Sequence, residues 1–212
     1  MLVSVNLHGM QEAVKTVSGA RRSGAERREA IFAAALRSFR ERGFHATSIN
    51  DIGAASGITG PAIYRHFSSK EEVLGEAIRE GTQRIAAATY EAMTREDLAP
   101  REALEALVRA YVRVALENAD IFAAYVLEAR HLGDQYRKPL RRKDLRHREG
   151  WRRRVRAVHP EMEDERVNTL VKMAIFAVAS FCLEPSHLDR ESLVEFATGR
   201  VLALLLAPDP GL

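Results

Sequence analysis

The sequence predicts an all-α fold, and three observations carry the prediction. Apolar residues recur at helical spacing from Ile31 nearly to the carboxyl end. Hydroxyl or acidic residues stand before several of these stripes and glycines after them, as helix starts and stops require. The alternation and paired turn residues that would signal strands are missing. With 212 residues, 46% of them hydrophobic, the chain has enough apolar surface for a substantial core.

The elements follow in order. Residues 1–24 show no sustained periodicity and contain Gly9, Gly19 and Gly24, so a flexible tail is expected there. From Glu26 the pattern changes: Ile31, Phe32, Ala35, Leu36 and Phe39 form one stripe, which Gly43 ends. Ser48 and Asp51, three apart before Ile52, form a capping box for a short second helix, broken at Gly57. Thr59 is placed to cap a third, over 59–67, with Pro61 tolerated in its first turn. Ser69 and Glu72 open a long helix from Lys70 to about Thr94. Further stripes run through Leu104, Leu107, Val108, Tyr111 and Ala115, and through Ile121, Phe122, Tyr125, Glu128 and Leu132. A small three-helix domain over 25–75 and a larger helical domain over 76–212 are the expected division.

Charge is unevenly spread. Residues 1–70 hold 10 Lys and Arg against 5 Asp and Glu, residues 137–156 hold 11 against 2, and the remainder 11 against 22. The formal net charge of +3 therefore conceals two basic stretches on an acidic body, a distribution compatible with a polyanionic partner. Charge alone favours a solvated arginine-rich helix face for residues 137–156.

The two short helices joined by a glycine-containing turn have the layout of a helix-turn-helix. Ile49, Ile52, Ile58, Ile63 and Phe67 can pack on Phe32, Leu36 and Phe39, fixing the angle of the third helix. Its other side then carries Thr59, Gly60, Tyr64, Arg65 and His66, followed by Lys70. Hydrogen-bond donors and small groups of this kind suit phosphate oxygens and base edges, and Gly60 and Ala62 permit close approach. The run from Arg28 to Leu74, with Phe39, Gly43, Thr47, Ile52, Ala55, Gly57, Gly60 to Tyr64, His66, Phe67, Lys70 and Glu71 at fixed spacing, resembles the DNA-binding domain of the TetR family of bacterial transcriptional regulators. It covers about 47 of the 212 residues. The resemblance implies a homodimer that binds a palindromic double-stranded operator and represses until a small effector enters the larger domain. Carried over by position, Thr47, Tyr64 and Lys70 contact phosphates, Thr59, Gly60, Pro61, Ala62, Arg65 and His66 lie at or near the bases, and Ser48 belongs to the same DNA-binding set. Arg65 departs from the aromatic or small residue frequent in the family, which leaves its base preference open.

Two helices near the carboxyl end point to dimerisation. Over 163–183, Val167, Leu170, Val171, Ala174, Ile175 and Val178 form a stripe, and Met173, Phe176 and Ala177 occupy the other side. Over 190–207, Leu193, Phe196, Val201 and Leu204 repeat the pattern. A helix apolar all round must be buried all round, and pairing with symmetry mates achieves that. These stripes are the expected interface.

The effector leaves a fainter trace. Asp144 and His147 interrupt an apolar stripe near Trp151, and Glu128 interrupts the Ile121/Tyr125 stripe, so Phe122, Tyr125, Glu128, Asp144, His147, Trp151 and Phe176 are the candidate ligand residues. Asp144 and His147 could equally mark a surface or form an ion pair. The arginine cluster of 141–156 could attract a phosphate-bearing ligand such as an acyl-CoA. No glycine-rich phosphate loop, HExxH or GxSxG is present, and the one cysteine sits in an apolar stripe, so neither enzyme activity, cofactor nor metal is expected. The longest apolar run, Met173 to Leu183, has 11 residues, and no basic-plus-apolar leader opens the chain. A cytoplasmic protein with no membrane partner is the expectation.

Overall fold

The computed structural model describes residues 23–184 and 186–208; most of the expected amino-terminal tail lies outside them. The described residues form nine α-helices and a 3-10 turn, with no strand among them. The helices are α1 (Gly24–Arg42), α2 (Ile49–Ser56), α3 (Gly60–Ile63), α4 (Lys70–Thr94), α5 (Pro100–Glu117), α6 (Ala119–Glu128), α7 (Asp134–Val158), α8 (Asp164–Leu183) and α9 (Arg190–Leu206), with the 3-10 turn at Ala129–His131. The all-α expectation is met.

Local chemistry explains most boundaries. Ser23 opens α1, its hydroxyl accepting from the Glu26 amide while Glu26 accepts from the Ser23 amide, so the helix starts two residues before the periodicity suggests. Ser48 and Asp51 form the expected reciprocal box at α2. Its hydrogen bonds from Ser48 hold the Asp51 carboxyl below the usual carboxylate range. Gly57 ends α2 in the left-handed conformation at φ 70°, and Gly43 follows α1 at φ 80°, both positions that penalise a Cβ. Thr59 does not cap α3: its side chain makes no cap hydrogen bond, and α3 is only four residues long, continued by turns. At α4 the Ser69 hydroxyl accepts from the Glu72 amide, but the Glu72 carboxylate takes its bonds from Ser68.

Two apolar clusters organise the molecule. The first joins α1, α2, α3 and the start of α4, and reaches across to Ala124, Leu132 and Leu140. Within it Ile52, Ile63 and Phe67 are fully buried, and the Phe67 ring meets Phe32 at 5.6 Å. The second joins the later half of α4 with α5, the amino end of α6 and α7 to α9 around Trp151. Helix α4 runs between the two clusters, and at Gly75 and Gly81 it passes so close to Tyr136 and Ile121 that a Cβ would collide with those side chains.

Helix α8 shows what run length misses. Over 20 residues its most apolar window has a mean hydropathy of 1.5, long and apolar enough by composition to cross a membrane, because Asn168, Thr169 and Lys172 interrupt the run without making it polar. It is the one such helix among the described residues, and it packs on α5, α6, α7 and α9.

Candidate nucleic-acid interface and effector cavity

The surface expected to face DNA is built by burial behind it. Ile63 and Phe67 anchor the α3 segment in the first cluster, which turns Tyr64, Arg65 and His66 to solvent; Tyr64 is 53% exposed. Thr59 and Ser48 are exposed beside them, Ala62 is half-buried, and Gly60 and Pro61 form the first turn of α3. These expected residues share one end of the molecule.

Two expected phosphate contacts are occupied otherwise. Thr47 is buried, and its hydroxyl donates to the carbonyls of Ser38 and Gly43, tying the turn before α2 to the end of α1. Lys70 spends its ammonium on the carbonyls of Phe44, His45 and Thr47 at 2.7, 3.2 and 2.9 Å, with the Phe44 ring 4.6 Å away. An ammonium has three N–H donors, so none is left for a phosphate. Both residues support this surface from behind. The basic excess is reduced as well, since Arg28 pairs with Glu76 and Glu80, and Arg40 with Asp120, and Lys15, Arg21 and Arg22 lie outside the described residues.

Between α4, α5, α6, α7 and α8 lies a largely apolar cavity of about 120 Å³. Five of the seven expected ligand residues line it: Phe122, Tyr125, Asp144, His147 and Phe176. Trp151 is fully buried one layer back, its ring 5.2 Å from that of Tyr111, which does line the cavity. Glu128 is elsewhere. It is buried at the end of α6, 3.5 Å from His131, whose ring stacks on Phe44 of the turn before α2.

Sequence reasoning missed Tyr111 in the lining and named Lys143 and Arg148 only within the basic cluster that could attract a phosphate-bearing ligand. Arg148 stands four residues after Asp144, and the two make an ion pair at 2.9 Å on the cavity wall. The expected alternative of an Asp144–His147 pair is therefore not what forms. Burial lowers the His147 pKa to about 4, with Arg148 pushing the same way and Asp144 opposing, so its imidazole is neutral at pH 7. Burial likewise raises the Tyr111 and Tyr125 phenols above their ordinary range.

The arginine-rich helix is mostly committed within the protein. Arg148 and Arg152 pair along the helix, Arg156 with Asp164, and Arg153 and Arg154 donate to the carbonyls of Met93 and Arg95. Cys182 is buried and its thiol is pushed up to about 12, mainly by burial, so it is chemically quiet.

The expected dimer stripe is corrected. Val167, Val171, Ala174 and Val178 of α8, and Leu193 and Val201 of α9, are buried inside the chain itself. Leu170, Ile175 and Leu204 are half-buried at the edge. Of the expected residues Phe196 alone stays exposed, at 49%, and Met173 and Phe176 on the other side of α8 are exposed with it at 50% and 51%. Gly199 and Ala203, also exposed, extend that side of α9.

Residues 31–77 match the family described as bacterial regulatory proteins, tetR family. The transcriptional repressor KstR2 of Rhodococcus jostii (strain RHA1) is 34% identical over 106 residues, half of this chain and 52% of its own length. The transcriptional regulator RutR of Escherichia coli (strain K12) is 34% identical over 107 residues, 50% of this chain and 48% of its own length. The chain thus spans about half the length of these curated relatives. The crystal structure of PfmR, a TetR family transcriptional regulator from Thermus thermophilus, superposes with a TM-score of 0.72 at 25% identity, covering 84% of this chain and 98% of that one.

Proposed function

We propose that the chain, which matches the tetR family of bacterial regulatory proteins over residues 31–77, is a DNA-binding transcriptional repressor acting in the cytoplasm as a homodimer. The observation that carries this reading is the α3 segment: Tyr64, Arg65 and His66 side by side in solvent, held from behind by buried Ile63 and Phe67. Residues 25–75 form the reading domain, and residues 76–212 bind effector and pair the subunits. A twofold pair of such heads reads two half-sites when they stand about 34–36 Å apart or a multiple of it, which makes the operator palindromic. Arg65 reaches base edges, Tyr64 and the exposed Ser48 and Thr59 meet the backbone, and Gly60, Pro61 and Ala62 let the head approach closely.

The partner subunit covers Met173, Phe176 and Phe196. The apolar composition of α8, of which only a third of the most apolar window is buried within one chain, supports such a cover. A small, largely apolar effector in the cavity, an acyl thioester being one candidate, favours a head spacing that no longer fits the operator, by binding one of two states more tightly.

Selection of bound duplexes from random DNA tests the reading. A palindrome should be enriched, its affinity should fall steeply with salt, Tyr64→Ala should weaken all sequences alike, and Arg65→Ala should change the preferred bases. Failure to enrich any sequence removes the proposal.

A further inference from the structure

The cavity wall carries more positive than negative charge. Asp144 and Arg148 neutralise each other at 2.9 Å. Lys143 also lines the cavity, is only partly exposed, and has no carboxylate or other hydrogen-bonding partner among the described residues. The remaining wall is chiefly aliphatic and aromatic. One uncompensated ammonium beside an apolar volume fits a ligand with one anionic head and an apolar body.

We infer that the effector is an amphipathic anion whose carboxylate or phosphate head pairs with Lys143 while its apolar body occupies the space between Phe122, Tyr125 and Phe176. This deepens, and rests on, the reading of the cavity as the effector site. The setting of Lys143 agrees with it. Burial and the like charges of Arg79 and Arg146 hold its pKa below the ordinary lysine range. Arg79 is itself satisfied by Glu76, whose carboxylate is held in its charged form mainly by that contact. An anion arriving at Lys143 relieves crowding that no described residue relieves, whereas a cation adds to it. The Asp144–Arg148 pair cancels its own charge and leaves Lys143 to set the preference.

The chain has a single tryptophan, Trp151, packed edge-to-face behind Tyr111 of the cavity wall, so its emission reports on occupancy. Octanoate, octyl phosphate, octanol and octylamine are titrated against the full chain and against Lys143→Met and Lys143→Arg. Octanoate or octyl phosphate should bind at least about tenfold more tightly than octanol, the size of one charge-assisted contact, with octylamine weakest; the better of the two anions identifies the head group. Lys143→Met should abolish that preference while leaving octanol binding in place, and Lys143→Arg should keep it. Equal binding of octanol and the anions, or a preference that survives Lys143→Met, overturns the inference but spares the cavity as an effector site. If none of the four changes the emission or the melting temperature, the cavity reading falls too, and the inference with it.

Discussion

Acidification should destabilise this protein through one histidine. His147 faces Tyr111 from α5 and Thr89 from α4, with Asp144, Arg148 and Trp151 on its own helix, and burial lowers its pKa to about 4. In the unfolded chain the same group titrates near 6.5. Between those values the unfolded state holds a proton that the folded state refuses, so stability falls as pH drops through 6.5 and the loss levels off below 4. At 1.36 kcal/mol per unit, the loss attributable to His147 is about 2 kcal/mol by pH 5 and about 3 kcal/mol once pH 4 is reached. The assay is urea unfolding of the wild type and of His147→Gln at several pH values from 7.5 to 5. Other groups titrate in both proteins, so the difference between the two curves isolates the imidazole. That difference should move by about 2 kcal/mol in favour of the variant as the pH falls. Parallel curves across the interval would refute the reasoning, because they would mean that His147 binds its proton equally well folded and unfolded.

Three further outcomes follow from the packing. Thr47→Val leaves the carbonyls of Ser38 and Gly43 without that donor and should cost about 1–3 kcal/mol in thermal or urea unfolding. Gly81→Ala drives a Cβ into Ile121 at the crossing of α4 and α6 and should cost about 1–3 kcal/mol by the same measurement. Met173→Glu combined with Phe196→Glu should yield monomers in sedimentation with the helical content unchanged, since both side chains are already half in water; a persistent dimer would place the interface elsewhere.

What the sequence made legible was whatever is decided within a few residues. The Ser48–Asp51 box, the stop at Gly57 and the extent of α4 depend on neighbours along the chain, and they form as expected. The cavity residues Asp144 and His147 were visible because polar groups on an apolar stripe need a reason to be there. Most of the expected dimer stripe lies inside the chain for a physical cause: α8 is apolar on both sides, and periodicity does not say which side meets the chain's own core. Thr47 and Lys70 carry the chemistry of phosphate ligands, but backbone carbonyls offered by the turn before α2 compete for the same donors. Glu128 was displaced from the expected pocket by contacts across the chain, near a histidine that stacks on a residue 87 positions earlier in the sequence. Lys143 was legible only as one member of the basic cluster that could attract a phosphate, because its isolation from carboxylates is a property of the assembled wall.

The crossing at Gly81 leaves no slack between the long helix and Ile121, a residue whose side chain also borders the cavity. A hinge with a cushion of side chains would absorb a guest's intrusion as local repacking. Here the backbone itself is the bearing surface, so widening the chamber on the Ile121 side has to push α4 along with it. The far end of that rod holds the ammonium knot around the turn before α2, so one helix joins the cavity wall to the surface proposed to read DNA.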